Sequence, residues 1–357
     1  MRTERPSLKM IIMVAVISLS MFLLFRYGLS QLDPVPTPTA SRSIVGASLP
    51  LHELWRSPGI LLRDRLGFGP TLLSAAEGTV FFVNHSQGWL KARLQVLDAS
   101  TGQLRWQTEE EGDNDDNVSS EHSLAASQGR LFIAVDWNIR AYDLADGKLL
   151  WRTPGRLSEH TGYEIYPVGD KLTVYSTRDT QSQSLDVFSV YNPATGELLE
   201  QIKTEAAEAR LLWRTAQVNY QDDCRRLSAV DRASGKVIWQ VAIKDCIDFW
   251  PEAVGSETVF TSRDGELFAV DIATGSVLWR YPEKCYSNSA VMGGIVYAIR
   301  ADGTLVGISQ KTGYEVGTLE FSPVGRSDGV PTYWVASDGK RLFAYFGDSQ
   351  ELIAFSQ

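Results

Sequence analysis

The chain has 357 residues, of which 44% are hydrophobic and 22% are charged, and this composition excludes a disordered protein. The net charge of −9 argues against a nucleic-acid binder, because phosphate neutralisation needs clustered Lys and Arg. Three cysteines are too few for a disulfide-built scaffold or a four-thiolate zinc site, and four histidines disfavour a histidine-rich metal centre. The ten tryptophans are the unusual feature of this composition.

The first 29 residues have the pattern of a membrane signal anchor. Met10–Phe25 contains no charge, and Arg26 can snorkel to the interface, which extends the usable span to about 20 residues. Arg2, Arg5 and Lys9 precede the run, which predicts a cytoplasmic N-terminus with the rest of the chain outside the cytoplasm, periplasmic or extracellular. No small-x-small cleavage site and no lipid-attachment cysteine follow closely. We therefore favour a single-pass anchor in the cell membrane over a cleaved signal peptide or a buried core helix.

Ser30–Pro50 is predicted to be a linker. Pro34, Pro36 and Pro38 favour an extended, polyproline-like spacer. The first 30 residues contain four Lys/Arg and one Glu, a net charge of +3, so the −9 of the whole chain leaves −12 on the remainder. That acidic remainder is not expected to adhere to an anionic bilayer.

A repeat organises the chain after residue 50. Its six complete copies are LQVLDASTGQLRW (94–106), IRAYDLADGKLLW (139–151), FSVYNPATGELLE (188–200), LSAVDRASGKVIW (227–239), LFAVDIATGSVLW (267–279) and LVGISQKTGYEVG (305–317), and a truncated copy is LIAFS (352–356). The residue at the Asp position of each copy is here called the anchor. The anchors are Asp98, Asp143, Asn192, Asp231, Asp271, Ser309 and Ser356. The anchors are 38 to 49 residues apart, a period that suits one four-stranded propeller blade, so the sequence predicts seven blades.

The columns of the repeat have separate structural roles. Large apolar residues lie four and one before the anchor and a small or β-branched residue lies two before it, which predicts a strand with both faces covered by neighbouring blades. A glycine stands four after the anchor in every complete copy and supplies the positive φ of a tight hairpin turn. Eight after the anchor stands a tryptophan, predicted to pack between adjacent blades. This tryptophan column contains Trp106, Trp151, Trp239 and Trp279, and it is interrupted by Glu200 and Gly317.

The truncated last copy predicts how the ring closes. It stops one residue after its anchor and lacks a final strand, whereas LHELWRS (51–57) is an isolated apolar strand with a tryptophan. We expect this segment to supply the missing outer strand of the last blade, with Trp55 in the tryptophan column. Such a strand swap removes the free edges of the ring.

The apolar-x-small-apolar-Asp-x-x-Thr-Gly-x-x-x-Trp pattern, as in 267–279, resembles the PQQ-like repeat of quinoprotein-type propellers over about residues 51–357. The resemblance implies an all-β β-propeller. With the anchor count and the apolar N-terminal run, the predicted fold is a seven-bladed propeller preceded by one transmembrane helix. One branch of the family is the quinoprotein dehydrogenases, which bind pyrroloquinoline quinone and Ca²⁺. The other is the BamB-type propellers, non-catalytic scaffolds of outer-membrane protein assembly. BamB-type proteins are lipoproteins, and this chain lacks their lipid-attachment cysteine.

No catalytic motif is found in the sequence. The vicinal cysteine pair of the quinoprotein dehydrogenases is missing, as are Cys-x-x-Cys-His, Gly-x-Ser-x-Gly, P-loop and His-Glu-x-x-His motifs. The acidic segment 109–117 does not have EF-hand spacing and is interpreted as a solvated loop between the first two blades. The sequence therefore predicts a non-enzyme without a cofactor or metal, and a small quinoprotein or ligand-binding sensor is the alternative.

Aromatic residues on interblade loops are the candidates for partner binding. Trp89, Trp137 and Trp250 lie beside charged residues on segments expected at one face of the propeller, with Asp222 and Asp223 nearby. The predicted function is a membrane-tethered, extracytoplasmic scaffold that binds protein partners there, in envelope assembly or quality control.

A disulfide is also predicted. Cys224 and Cys246 flank the open end of the hairpin around Gly235, and an exported domain permits their oxidation. Cys285 is either the rival partner or a spare thiol.

Overall fold

The structure of the protein is a computed structural model. It describes residues 42–60, 62, 73–85, 92–108, 123–135, 138–153, 160–179, 184–205, 210–214, 217–245, 247–254, 257–262, 265–322 and 333–357. Ala40–Gln357 forms one compact unit. The predicted helix of residues 1–29 lies outside the described residues and stays a prediction. Within the described ranges, no helix has the length and apolar character needed to cross a membrane.

The described part of the unit is built from 29 β-strands. In chain order they are β1 (Ile44–Ala47), β2 (His52–Pro58), β3 (Leu73–Ala76), β4 (Thr79–His85), β5 (Ala92–Asp98), β6 (Leu104–Gln107), β7 (Ser123–Ser127), β8 (Arg130–Val135), β9 (Asn138–Asp143), β10 (Leu149–Arg152), β11 (His160–Val168), β12 (Lys171–Asp179), β13 (Ser184–Tyr191), β14 (Leu198–Glu205), β15 (Arg210–Arg214), β16 (Val218–Asp222), β17 (Arg226–Asp231), β18 (Val237–Ala242), β19 (Ile247–Val254), β20 (Glu257–Ser262), β21 (Leu267–Asp271), β22 (Val277–Arg280), β23 (Ala290–Met292), β24 (Ile295–Ile299), β25 (Leu305–Ser309), β26 (Glu315–Phe321), β27 (Tyr333–Ser337), β28 (Arg341–Phe346) and β29 (Glu351–Ser356).

These strands form an all-β propeller of antiparallel sheets. Sheets 1 to 5 are meanders of four consecutive strands, β3–β6, β7–β10, β11–β14, β15–β18 and β19–β22. Sheet 6 contains β23–β26 with β1 added at its edge, and sheet 7 contains β27–β29 with β2 at its edge. The third strand of each sheet carries the repeat, and its −2 column is small or β-branched because neighbouring sheets pack on both of its faces. Members of that column such as Val96, Ala141, Ala269 and Ala354 are fully buried.

Sheet 7 closes with a strand from the other end of the propeller sequence, as the truncated repeat predicted. β2 pairs antiparallel with β29, from His52 opposite Ser356 to Pro58 opposite Glu351. Trp55 lies opposite Ala354, the same register that places Trp279 opposite Ala269 in sheet 5. Trp55 therefore occupies the tryptophan column of sheet 7.

The predicted boundary of the linker at Pro50 is wrong, because β1 falls inside Ser30–Pro50. β1 pairs with β26, and Ala47 lies opposite Leu319. The two glycines of the weakest repeat copy make room for the segment after β1. A Cβ on Gly317 would lie 2.9 Å from the Ser48 backbone, and a Cβ on Gly307 would lie 2.5 Å from Cδ2 of Leu49. Gly317 thus interrupts the tryptophan column where the N-terminal segment takes the place of an indole.

Buried ion pairs hold the start of this segment. The Arg42 backbone N–H donates to Glu351 Oε2 over 3.0 Å, and the Arg42 guanidinium pairs with Asp348 and lies 5.0 Å from the ring centroid of Phe346. Arg56 Nη1 lies 3.2 Å from Glu351 Oε1. Arg42 and Glu351 are almost fully buried, and buried charges are tolerated when they are paired in this way. Residues 42–58 are therefore an integral part of sheets 6 and 7.

Candidate functional site

Five tryptophans join successive sheets, as the sequence predicted. Each indole N–H donates to a backbone carbonyl of the next sheet, on the residue that follows the anchor. The pairs are Trp55 with Ala99 (3.1 Å), Trp106 with Leu144 (3.0 Å), Trp151 with Pro193 (3.0 Å), Trp239 with Ile272 (3.0 Å) and Trp279 with Gln310 (2.7 Å). A buried indole contributes apolar burial, and the hydrogen bond of its N–H fixes the orientation of the ring. These tryptophans are scaffold residues.

Each of these indoles also covers the turn glycine of the next sheet. A Cβ built on that glycine would lie 2.5 to 2.6 Å from the ring at Gly102, Gly147, Gly196, Gly275 and Gly313. All five glycines have a φ between +70° and +75°. The glycine column is therefore required twice, once by the left-handed backbone and once by the close approach of the indole.

The anchors hold these turns. Asp98 Oδ1 accepts from the backbone N–H groups of Ser100 (2.9 Å) and Thr101 (3.0 Å), and Arg105 Nη2 lies 2.7 Å from Asp98 Oδ2. Hydrogen bonds from the Ser100 hydroxyl and from Arg105 hold the pKa of Asp98 far below its usual range. The hydrogen bonds of Ser234 similarly lower the pKa of Asp231. These carboxylates stay ionised at neutral pH and act as turn acceptors rather than as acids or bases.

The contact between sheets 3 and 4 differs from the five tryptophan-joined contacts. Glu200 occupies the tryptophan column, opposite Val190. Its carboxylate lies 3.7 Å from Arg232 Nη2, and Arg232 is the residue that follows the anchor in sheet 4. A Cβ built on Gly235 would meet no atom of the described residues within 4 Å. Among those residues, the turn glycine of sheet 4 is thus uncovered.

Of the three predicted partner-binding tryptophans, only Trp250 lies within the described residues. Trp89 and Trp137 lie outside the described residues. Trp250 lies within β19, the first strand of sheet 5, whereas the sequence placed it on a loop. The pairing of β19 with β20 is irregular between Phe249 and Glu252, and Trp250 lies between these two residues. The segment that was predicted to be a loop is therefore a bulged strand. The acidic segment 109–117 also lies outside the described residues.

The two aspartates predicted on the same face have structural partners. Asp222 ends β16, is almost fully buried, and accepts from the backbone N–H of Ile247 over 2.9 Å. This contact joins sheet 4 to sheet 5. Asp223 pairs with Arg226 over 2.6 Å, and its pKa is lowered by the hydrogen bonds of Arg226 and Arg225 against the effect of burial. Both carboxylates therefore have structural roles.

The cysteines differ in state. Cys224 is exposed, has a φ of +63° and is disulfide-bonded, whereas Cys285 is a buried free thiol. Cys246 lies outside the described residues, so the Cys224–Cys246 pair stays a prediction. Burial raises the pKa of the Cys285 thiol to about 12, which leaves it unreactive.

A polar cluster of buried Tyr281, half-buried Arg300 and exposed Glu315 joins sheets 5 and 6. The Tyr281 hydroxyl donates to Glu315 Oε2 over 2.7 Å, and Arg300 Nε donates to that hydroxyl over 3.1 Å. Burial raises the pKa of Tyr281 well above its usual range, which keeps the phenol protonated. No group of three or more His, Cys, Asp or Glu side chains able to hold a metal ion occurs within the described ranges.

The sequence matches a family model over residues 52–221 and 223–356, and that family is described as outer membrane protein assembly factor BamB. The chain belongs to the BamB family. A curated BamB from Yersinia pestis is 24% identical over 296 residues, which cover 75% of this chain and 66% of that protein. The chain thus spans slightly less than two thirds of the length of that relative.

Two solved structures are similar to this BamB-family chain. The crystal structure of BamB from Moraxella catarrhalis is 15% identical, with a TM-score of 0.48 over 86% of this chain and 100% of that one. The computationally designed Ika8 protein is 13% identical, with a TM-score of 0.55 over 84% of this chain and 100% of that one. The second likeness concerns the fold alone.

Proposed function

We propose that this BamB-family propeller is a non-catalytic scaffold that binds protein partners during the assembly or quality control of envelope proteins. Membership of the BamB family carries this proposal. In the described sheets, the carboxylates beside the turns serve as turn acceptors and the cysteine thiol is buried, which suits a binding role. A rigid scaffold follows from five indole contacts between successive sheets, because such contacts hold loops at fixed positions.

We further propose that the seven sheets are the blades of one ring, and that partners bind the face carrying Trp89, Trp137 and Trp250. The experiment is affinity capture from envelope extract with the purified full-length chain and with a variant in which these three residues are alanine. We expect the triple variant to lose the partner that the native chain retains. Equal recovery by the two proteins would reject this face. Trp213→Ala, which changes a tryptophan of β15 outside the tryptophan column, is a matched control.

We propose that residues 1–29 anchor the propeller to the cell membrane, with residues 42–357 on the outer side. Enzymatic reporter fusions after residue 41 and after residue 357 test the orientation. Both fusions should be active with a reporter enzyme that works only outside the cytoplasm, and inactive with one that works only inside it. Release of the native chain by alkaline washing would contradict a membrane-spanning helix.

We propose that the chain binds neither pyrroloquinoline quinone nor Ca²⁺. Titration with the quinone, with and without Ca²⁺, should leave its absorbance and the protein melting temperature unchanged. A saturable spectral shift would support the alternative, a small quinoprotein.

We also propose the Cys224–Cys246 disulfide, which joins the end of β16 to the start of β19. The buried free thiol of Cys285 supports this pairing, because it leaves Cys246 as the remaining cysteine. Mass spectrometry of a non-reduced digest should find the two peptides linked, and a linked Cys285 peptide would overturn the pairing.

A further inference from the structure

One of the six turn glycines of the repeat is uncovered. Gly102, Gly147, Gly196, Gly275 and Gly313 each lie under an indole from the preceding sheet, and each is buried or half-buried. Gly235 has the same left-handed φ, +68°, and is exposed, with no described residue within 4 Å of its Cβ position. The backbone of this turn therefore has the form of the five others, and the side chain that covers the others is missing.

The residues around Gly235 define the gap, which we call the Gly235 slot. Glu200 stands where the indole would originate, opposite Val190 on the central strand. Across the gap, Arg232 is exposed, whereas its equivalents Ala99, Leu144, Pro193, Ile272 and Gln310 are buried or half-buried. The Gly235 slot is thus open to solvent, with a guanidinium beside it.

We propose that the Gly235 slot binds a tryptophan side chain supplied by a partner protein. The same chain shows five times what this backbone accepts, an indole that lies flat on the glycine with its N–H directed at the carbonyl that follows the anchor. Arg232 favours the same occupant, because a guanidinium stacks on an indole face more strongly than on an aliphatic side chain.

The Glu200–Arg232 ion pair does not block this binding. Its 3.7 Å separation and the exposure of both side chains, 45% and 29%, make it a surface pair of little energetic value. Giving up this pair would therefore cost little when Arg232 turns onto an incoming ring. A tryptophan beside a basic residue fits this slot best, since Glu200 then has a cation to pair with in place of Arg232.

The proposal goes beyond the proposed function, because the Gly235 slot lies at the hairpin turn of the repeat and contains none of Trp89, Trp137 and Trp250. Loss of binding at one site leaves the other intact. The alanine variant of those three tryptophans should bind at the Gly235 slot as the native chain does, so failure of either proposal is distinguishable from failure of the other.

The test uses N-acetyl-5-fluorotryptophanamide as the probe and the purified full-length chain. Its fluorine resonance should broaden with the native chain, and unlabelled N-acetyltryptophanamide should reverse the broadening while N-acetylleucinamide does not. Glu200→Trp supplies the missing indole from within the chain, so we expect it to weaken probe binding by about tenfold or more. Glu200→Ala is the matched control: it adds no indole and removes the carboxylate that pairs with Arg232, so it should bind the uncharged probe at least as tightly as the native chain does.

A second measurement keeps the result interpretable. Glu200→Trp should raise the melting temperature if the new indole covers Gly235, which also shows that the variant is folded. Equal broadening with the native chain and Glu200→Trp, or no broadening with the native chain, would overturn the proposal. Concentration-dependent dimerisation of the native chain that Glu200→Trp abolishes would also overturn it, because the occupant would then be a second copy.

Discussion

Replacing a covered and an uncovered turn glycine by alanine separates the two reasons for the glycine column. Gly275 and Gly235 have φ values of +73° and +68°, so alanine at either position should cost about 1–2 kcal/mol of backbone strain. At Gly275 the new Cβ would also lie 2.6 Å from the Trp239 ring, against about 3.5–4.0 Å for carbon atoms in contact. Overpacking of this kind adds about 1–3 kcal/mol. Gly275→Ala should therefore be the more destabilising change by about 1–3 kcal/mol.

Urea unfolding followed by circular dichroism measures both variants, with thermal melting as a second readout. For a unit of about 320 residues, 1 kcal/mol corresponds to about 1.5 °C in melting temperature. The Trp239→Ala background is the control, because removing the ring should reduce the cost of Gly275→Ala. Part of the clash remains in that background, since the Cβ of residue 239 lies 2.8 Å from the new atom. Equal costs for Gly275→Ala and Gly235→Ala in the native background would refute the reasoning, as would a cost at Gly275 that Trp239→Ala leaves unchanged.

Three further predictions concern other contacts. Trp279→Ala removes a buried indole and its hydrogen bond to Gln310 and should destabilise the protein by about 3–5 kcal/mol in urea unfolding. Glu200→Ala, in the same column, should cost less than about 0.5 kcal/mol. Similar costs for the two variants would refute the scaffold role of the tryptophans. Glu351→Gln should speed hydrogen exchange in β1 more than in β13, because Arg56 loses its buried carboxylate and the Arg42 backbone N–H loses a charged acceptor. Uniform exchange would argue against local anchoring. Cys285 should resist iodoacetamide at pH 8, where a pKa of about 12 leaves about one thiolate in 10⁴, and should react once the protein is unfolded; labelling of the folded chain would contradict this.

The repeat columns predicted the scaffold because each column corresponds to one physical constraint. A glycine at a left-handed φ, a small residue on the central strand and an indole over the next turn recur wherever the same contact recurs. Trp55 was predicted from the missing strand alone, and the structure places it opposite Ala354 in the expected register.

The sequence did not predict β1, because four residues after a proline-rich stretch carry too weak a strand pattern. Its signal was Gly317, which breaks the tryptophan column, and Gly307, which is the smallest residue in the −2 column. Both positions are explained by the Ser48–Leu49 segment that approaches them.

The candidate binding residues were harder to predict from the sequence, since loops outside the repeat have no column to constrain them. Trp250 was expected on a loop and lies in a bulged strand. The Gly235 slot depends on Glu200 and Arg232, which in the sequence only differ from the other copies of the repeat. Their meaning became clear from the five turns that an indole covers, because those turns show what is missing at Gly235.

The pairing of β2 with β29 also sets an order of events during synthesis. Almost 300 residues separate the two strands, so β2 and the segment before it emerge early and remain without their partners until the last repeat has been made. The meanders of sheets 1 to 5 can each form from consecutive strands in the meantime, because their pairings are local. Completion of sheet 7 must therefore be a late step, and a chain stalled before β29 would expose an unpaired strand that a chaperone could recognise.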